Sequence, residues 1–396
     1  MNETQLRADL ARVPASLRGR LDAAGFDAER LVSLAAPLWA RAAHVPGGGT
    51  AERDERNRVR GTVEPPGSGD VRDAAAPGTT EHERLAGVGL EAIRRGELAL
   101  CVMAGGMATR MGGVIKALVE AFDGRTFLEL RLRENASWSR LAGRPVPLWL
   151  MTSDPTDGPI GEALVKSRAP AHVATFTQDL GLRLTREGGL FLGDDGQPST
   201  YAPGHGDLPD ALGRSGLLAS FLSAGGKYVW IANLDNLGAT VDAALLGHFI
   251  ETGAAVMVEA APKVAGDKGG IPVWADAEDE EGRTTRRLQV LEEFRLPPGF
   301  DAAAVRVFNT NTFLVRAEAL HTRVRWSWFE VEKKVGERTA LQFERLLQEL
   351  TSAMPAAYVR VPRDGVAARF LPVKDFDELA RRREDIRAVA AARGML

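Results

Sequence analysis

Apolar residues recur along the chain with two different periods. Between residues 4 and 42 they return every three or four positions, which predicts amphipathic helices. After a further helical stretch over residues 81–97 the apolar residues instead form short unbroken runs, of the kind found in strands buried on both faces of a parallel sheet. These runs are LALCVMA, PVPLWLM, HVATF, YVWIA, AAVMVEAA and NTFLV. The pattern predicts an α/β domain over residues 81–375, preceded by a helical N-terminal segment (1–44) and closed by a C-terminal helix (376–396).

Polar residues follow the ends of four of these runs. Two glycines come after the first run, and TSD (152–154), TQD (177–179) and NLDN (233–236) come after the later ones. Ligands of open α/β sheets collect at the carboxyl ends of the parallel strands. The sequence therefore predicts one shared site at this edge of the sheet.

Residues 45–80 have a different composition from the rest of the chain. They contain PGGGT, PPGSGD and AAAPGTT around a segment in which arginines and acidic residues alternate. Such a composition buries little apolar surface, so it predicts a flexible linker or loop. The arginines are interpreted as part of a solvated segment rather than as a binding patch.

Composition and charge exclude several classes of protein. The chain has 396 residues, 44% of them hydrophobic, and a formal net charge of −3, which argues against a nucleic-acid polymer as partner. Its single cysteine, Cys101, excludes a disulfide framework. No signal peptide and no apolar run of membrane-spanning length is evident, so we expect a cytoplasmic protein without a membrane partner. Its oligomeric state is left open.

A glycine-rich loop follows the first strand, in the stretch AGGMATRMGGVIK (104–116). Glycines after a strand let backbone N–H groups approach phosphate oxygens. The stretch fits neither the P-loop pattern nor the dinucleotide fingerprint. A purely structural turn therefore stays open as an alternative, but Arg110 and Lys116 would supply positive charge suited to phosphoryl or nucleotidyl transfer.

Two later segments carry candidate chemistry. PGHGD (203–207) presents His205 between two glycines, and a plain turn is the alternative interpretation. Asp235 lies at the end of the YVWIA strand, where one carboxylate suits Mg²⁺ completed by substrate phosphates. Thr240 and Asp242 are available to cap the following helix, which leaves Asp235 free for a metal.

Three further residues are candidates for substrate contacts. Asn309 and Asn311 lie two apart in an extended segment, on one face, where amides suit sugar hydroxyls. Lys374 lies in the proline-containing stretch RFLPVKD. Taken alone, it would be interpreted as a surface lysine.

Together these stretches resemble the eukaryotic-type UTP–glucose-1-phosphate uridylyltransferase (UDP-glucose pyrophosphorylase) family. The resemblance runs in the family's order from about residue 98 to residue 376. The similar segments are AGGMATRMGGVIK, FTQD, PGHGD, NLDNLGATVD, KGGIPV, QVLEEFRLP, NTNT and RFLPVK. Each is weak alone, but eight in order are specific.

The resemblance implies a GT-A-like, Rossmann-related nucleotidyltransferase core with a mostly parallel mixed sheet. It implies Mg²⁺-dependent transfer of UMP from UTP to a sugar 1-phosphate, with Asp235 as the metal ligand. The implied nucleotide-binding residues are Ala104, Gly105, Gly106, Lys116, Gln178 and Gly204. The implied substrate-binding residues are His205, Asn233 and Asn311, and the implied cations at the reacting phosphates are Lys116 and Lys374. From their own positions in the sequence, we add Asn309 to the predicted substrate-binding residues and Arg110 to the predicted catalytic residues.

The sequence also departs from the family pattern. The glycine loop is one residue shorter, Ala108 replaces a glycine, Ile115 replaces the proline before Lys116, and no C-terminal β-helix domain is expected. Two alternatives stay open. One is a pyrophosphorylase for another sugar, such as N-acetylhexosamine 1-phosphate, because MTSDPTD (151–157) is somewhat similar to that sister family. The other is a catalytically silent nucleotide-sugar binding protein.

Overall fold

A computed structural model describes residues 1–44, 55–108, 111–264, 266–267 and 269–396. The α-helices span Glu3–Ala11 (α1), Ala15–Ala23 (α2), Ala28–His44 (α3), Thr80–Arg95 (α4), Phe127–Ala142 (α5), Asp154–Lys166 (α6), Leu208–Arg214 (α7), Leu217–Ser223 (α8), Ala243–Thr252 (α9), Leu350–Ala353 (α10) and Phe376–Ala392 (α11). The strands span Arg72–Asp73 (β1), Leu98–Met103 (β2), Met107–Ala108 (β3), Val114–Ile115 (β4), Glu120–Phe122 (β5), Arg125–Thr126 (β6), Leu148–Thr152 (β7), Val173–Thr177 (β8), Gly181–Leu182 (β9), Thr200–Tyr201 (β10), Tyr228–Asn233 (β11), Val256–Pro262 (β12), Ile271–Glu278 (β13), Thr284–Leu291 (β14), Val307–Arg316 (β15), Phe329–Val335 (β16), Arg338–Glu344 (β17) and Ala356–Arg360 (β18).

The central sheet has the strand order β1-β18-β12-β15-β11-β2-β7-β8. Neighbouring strands are parallel except where β15 pairs with β12 and β11. The sheet is therefore mixed and mostly parallel, which confirms the α/β prediction. Because β15 runs against its neighbours, its amino-terminal half lies at the edge where the other strands end.

Strand β2 shows why the apolar runs are unbroken. All six of its residues are buried. Leu98, Leu100 and Val102 pack into the core on one face of the sheet, whereas the alternate residues pack into the core on the other face. Both faces of the strand exclude water, so no position is left for a polar side chain.

Helices α4 and α9 cover one face of the sheet and touch through their backbones. A Cβ atom on Gly89 would lie 1.9 Å from the carbonyl oxygen of Ala243, and one on Gly247 would lie 2.0 Å from that of Leu85. A side chain at either glycine would separate the two helices. This contact fixes the position of α9 and therefore also constrains the loop that leads from β11 into α9.

The N-terminal helices form a separate apolar cluster. Their leucines, such as Leu6 and Leu38, pack with Leu182 and Leu341 from β9 and β17. The backbone N–H of Leu180 also donates to the carbonyl of Ala24. The helical N-terminal segment is thereby attached to the chain that continues from β8.

The described part of the predicted linker, residues 55–80, makes more contacts than its composition predicts. Val59 donates a backbone hydrogen bond to Arg295, and Glu64 pairs with Trp274. Strand β1 adds a parallel edge to β18. The segment is largely irregular, but valines spaced along it reach an apolar cluster and anchor it to the domain. Within the described residues, no helix is both long and apolar enough to cross a membrane.

Candidate functional site

The ends of β2, β7 and β8 meet around Gly105. Ala104 donates its N–H to Met151, and Gln178 donates its N–H to Thr152. The Ser153 hydroxyl donates to the carbonyl of Gly105 over 2.8 Å. A Cβ on Gly105 would lie 2.4 Å from Oε1 of Gln178 and 3.2 Å from the backbone N of Ser153, so a larger residue would force the Gln178 side chain to move. Three of the predicted nucleotide-binding residues, Ala104, Gly105 and Gln178, are thus brought together.

The glycine loop forms a short hairpin of β3 and β4. Gly112 and Gly113 have φ angles of 79° and 77°, and Gly113 donates its N–H to the carbonyl of Ala108. Ala108 is a buried strand residue without a positive φ, so it adopts ordinary extended backbone there. Gly106 is exposed, and a Cβ built on it would meet none of the described residues within 4 Å. Arg110 lies outside the described residues.

Lys116, at the end of the hairpin, joins two other segments. Its Nζ donates to Oδ2 of Asp235 over 2.7 Å and to the carbonyl of Val373 over 2.8 Å. The next residue, Lys374, is exposed. Lys116 is therefore paired with the predicted metal ligand, and its second bond holds the backbone directly before Lys374. The side chains of Lys116 and Asp235 are 20% and 16% exposed.

Asn233 and Asn311 form the adjoining part of the site. Asn311 donates its side-chain amide to Oδ1 of Asn233 over 3.1 Å. Its backbone has a φ of 60° and its N–H is held by Oδ1 of Asn309, which forms an Asx-type turn inside β15. Oδ1 of Asn311 is buried and finds no hydrogen-bond partner among the described residues. A buried acceptor of this kind is open to a ligand donor such as a hydroxyl group.

The PGHGD segment packs against the backbone of Arg345. A Cβ on Gly204 would lie 2.6 Å from the carbonyl oxygen of Arg345, and one on Gly206 would lie 2.6 Å from its carbonyl carbon. His205 accepts the N–H of Leu347 at Nδ1 over 2.9 Å. Burial lowers the pKa of His205 to about 4. The ring is therefore neutral near pH 7, with its proton on Nε2, and it can act as a hydrogen-bond donor rather than as a cation.

Behind this segment lies a buried charged group. Oδ2 of Asp207 accepts the N–H of Asp179, and Arg345 binds the carboxylate of Asp179 over 2.8 Å. Burial, together with the nearby charge of Asp179, raises the pKa of Asp207 well above its ordinary value. Because Asp179 follows Gln178 directly, these contacts hold PGHGD against the segment that carries Gln178, one of the predicted nucleotide-binding residues.

Sequence reasoning missed the side chains that hold the Asp235 loop. Arg131 in α5, Arg369 in the RFLPVK segment and Arg393 just beyond α11 each donate to backbone carbonyls of residues 233–240. Asn236 binds the RFLPVK backbone with both ends of its amide. As predicted, Asp242 caps α9, since its side chain accepts the N–H of Leu245.

Solved structures of known proteins share this fold. A UDP-glucose phosphorylase from Trypanosoma brucei superposes with a TM-score of 0.68 at 22% identity, over 92% of this chain and 77% of that one. The uridine diphosphate N-acetylglucosamine pyrophosphorylase of the same organism, in complex with an inhibitor, superposes with a TM-score of 0.68 at 19% identity. The superposition covers 89% of this chain and 81% of that one. The protein therefore has the α/β fold of these nucleotidyltransferases.

Sequence comparison then places the chain within one family. The family model for UTP–glucose-1-phosphate uridylyltransferase matches residues 79–392, so the chain belongs to this family. The barley (Hordeum vulgare) enzyme of that name is 33% identical over 300 residues, which is 72% of this chain and 61% of that protein. The Saccharomyces cerevisiae enzyme is 32% identical over 313 residues, which is 73% of this chain and 60% of that protein. The chain thus spans about three fifths of the length of these curated relatives.

Proposed function

We propose that this chain transfers UMP from UTP to glucose 1-phosphate in a Mg²⁺-dependent reaction that releases pyrophosphate. The observation that carries the proposal is the contact of Lys116 with both Asp235 and Val373, the residue before Lys374. It joins one cation and one carboxylate at the carboxyl edge of a mostly parallel sheet, and it holds the backbone that carries Lys374 beside them. Membership of the uridylyltransferase family supports the choice of substrates.

The reaction needs charge neutralisation more than it needs a base. An oxygen of the sugar phosphate attacks the α-phosphorus of UTP in line, and a new P–O bond forms. The bond from that phosphorus to the oxygen bridging the β-phosphate breaks, and pyrophosphate leaves with the electron pair. Both reactants are anions, and the nucleophile is already ionised, so repulsion is the main obstacle. Lys116 and Lys374 would hold the two anions together and stabilise charge in the transition state.

The donor set fits Mg²⁺. Asp235 offers a hard carboxylate oxygen, and the described residues hold no group of three or more His, Cys, Asp or Glu side chains arranged for a metal. Mg²⁺ commonly binds proteins through one or two carboxylates and takes its other ligands from phosphates and water. When bound, it would supply positive charge to the triphosphate.

The remaining predicted residues suit the two substrates. Gln178, beside Gly105, offers an amide to the uracil, and the open space at Gly106 allows phosphate to approach the backbone. Neutral His205 offers Nε2–H to the sugar phosphate. The buried Oδ1 of Asn311 offers an acceptor to a hexose hydroxyl.

A substrate panel tests the proposal. The purified chain is incubated with Mg²⁺, UTP and glucose, galactose or N-acetylglucosamine 1-phosphate, and pyrophosphate release is measured; UTP is then replaced by dTTP, GTP or ATP. We expect the highest kcat/KM with UTP and glucose 1-phosphate. A preference for N-acetylglucosamine 1-phosphate would favour the sister activity. Tight binding of UDP-glucose with no turnover of any pair would favour the silent binding protein.

We also propose a cytoplasmic location. The substrates UTP and sugar 1-phosphate support it, as does the presence of only one cysteine, buried in β2. Fractionation of cells that produce the protein, followed by immunoblotting, tests this location.

A further inference from the structure

The loop that carries Asp235 has little regular structure of its own. Between β11 and α9, its internal backbone bonds include those from Ala239 to Asn236 and from Thr240 to Gly238. Leu234 adds a bond of 3.2 Å to Met103 of β2. Such a loop does not by itself hold a carboxylate in a fixed place, so side chains from other elements must do so.

One arginine from α5 holds the loop on both sides of Asp235. Nη2 of Arg131 donates to the carbonyl of Asn233 over 3.0 Å and to that of Asn236 over 2.6 Å. Its Nη1 donates to the carbonyl of Ala239 over 3.3 Å. Three carbonyls of one loop therefore converge on a single guanidinium group, and two of them flank the candidate metal ligand.

The charge of Arg131 is balanced within the same helix. Glu134, one turn further along α5, accepts Nη1 of Arg131 over 2.6 Å, and both side chains are 0% exposed. The other oxygen of Glu134 accepts the N–H of Val241 over 2.8 Å. The buried pair thus binds the loop at residues 233, 236, 239 and 241. A buried ion pair is weak support for stability, because burying two charges costs much of what their attraction gains.

The two other arginines bind the loop further from Asp235. Arg369 donates to the carbonyl of Thr240 over 2.7 Å and pairs with buried Glu259. Arg393 binds the carbonyl of Gly238 and the hydroxyl of Thr240. The carbonyl of Arg369 also accepts the side-chain amide of Asn236 over 3.0 Å. Neither of these two guanidinium groups, however, binds the carbonyls of Asn233 and Asn236, so Arg131 is the arginine whose side chain holds the backbone on both sides of Asp235.

We infer that Arg131, held by Glu134, is a positioning residue that fixes Asp235 and Asn233 relative to Lys116 and Asn311. Its geometry needs arginine, because the planar fork supplies several donors in fixed directions and a lysine supplies one point of charge. The inference rests on the proposed function, since it assigns the position of the proposed metal ligand.

The test compares Arg131→Lys with Arg316→Lys. Arg316 ends β15 at the opposite edge of the sheet and also donates to a backbone carbonyl, that of Ala254. Amide hydrogen exchange of residues 234–241 is measured without metal, and kcat, KM and the Mg²⁺ concentration for half-maximal rate are measured with it. For Arg131→Lys we expect exchange about 10-fold faster in this loop alone. We expect kcat to fall about 10²-fold with a higher Mg²⁺ requirement. Arg316→Lys should change neither.

Unchanged loop exchange in Arg131→Lys would overturn the inference, and so would faster exchange with unchanged kcat and Mg²⁺ requirement. If Arg131→Lys does not fold, the double variant Arg131→Gln, Glu134→Gln replaces it, because it removes both buried charges together. The inference then requires faster loop exchange, lower kcat and a higher Mg²⁺ requirement in the double variant. If the wild-type protein is inactive, that result refutes the proposed function rather than the role of Arg131. The inference would then be decided by loop exchange and by Mn²⁺ binding in the presence of UTP: weaker binding with faster exchange supports it, and no change overturns it.

Discussion

Lys116 Nζ lies 2.7 Å from Oδ2 of Asp235, so a proposed catalytic cation and the proposed metal ligand are paired with each other. A metal ion on Asp235 would replace the lysine as the partner of this carboxylate. The lysine would then be available to a phosphate. Metal binding and the release of Lys116 are therefore expected to be linked.

Replacing Lys116 should separate catalysis from metal binding. We predict that Lys116→Ala lowers turnover by about 10²-fold or more, as the loss of one preorganised donor does. The Mg²⁺ concentration for half-maximal rate should stay equal or fall, because the competing cation is gone. Steady-state kinetics over a Mg²⁺ series measures both. Lys227→Ala, which removes an exposed lysine paired with Glu97, is the control. Near-normal turnover of Lys116→Ala would refute the role of Lys116.

Gly106 tests the approach of the nucleotide to the backbone. A Cβ there meets no atom of the part of the chain that the structure describes within 4 Å, so Gly106→Ala should fold with an unchanged melting temperature. The same Cβ would occupy the space proposed for phosphate, and we predict a rise of about 10-fold in KM for UTP. Gly87→Ala in α4, where a Cβ also meets none of the described atoms within 4 Å, should leave this KM unchanged. An unaltered KM in Gly106→Ala would exclude close approach of UTP at this residue.

Asn311 tests the sugar side of the site. Because its φ is 60°, Asn311→Gly retains the backbone conformation without strain and removes only the amide. We predict about a 10-fold higher KM for glucose 1-phosphate, the effect of losing one or two hydrogen bonds, and little change in KM for UTP. Initial-rate measurements with each substrate varied in turn provide the comparison. Equal effects on both substrates would instead indicate a general distortion of β15.

The lowered pKa of His205 predicts a pH dependence of stability. Between about pH 4 and the ordinary value of about 6.5, the unfolded chain binds a proton at His205 that the folded protein does not. Stability from this group is therefore complete above pH 6.5 and decreases as the pH falls towards 4. His205→Asn keeps an acceptor for the Leu347 N–H and removes the titration. Urea unfolding of both proteins should show that the wild type loses about 2 kcal/mol relative to the variant between pH 7.5 and 5. A constant difference across this range would contradict the burial of a neutral ring.

Much of the fold could be predicted because strands buried on both faces leave unbroken apolar runs. The runs around Trp149 and Trp230 became β7 and β11, and the polar residues after them do lie at one edge of the sheet. The proximity of Lys116 and Asp235 could also have been predicted. Asp235 follows β11 of the sheet, and Lys116 follows the hairpin at the same edge.

The supporting residues could not be predicted in the same way. Arg131 shares a helix face with Phe127 and Leu128, but arginine is a residue type that is usually exposed, and the helix itself does not show what would bind its guanidinium group. Its burial arises only when a loop 102 residues later in the chain closes over it. Residues 55–80 likewise look polar in composition, but a few valines suffice to attach them to the domain. Both depend on contacts between segments distant in sequence, for which local periodicity carries no signal.

The central claim is that this chain joins UMP to glucose 1-phosphate with the help of a metal held by Asp235. The most direct measurement follows UTP labelled at the α-phosphate, incubated with glucose 1-phosphate, for the wild type and for Asp235→Asn, with Mg²⁺ or with excess EDTA. The account predicts labelled UDP-glucose and an equal amount of pyrophosphate for the wild type with Mg²⁺ only, and a strongly reduced rate for Asp235→Asn. No labelled UDP-glucose from folded wild-type protein, or formation at the same rate in EDTA, would contradict it.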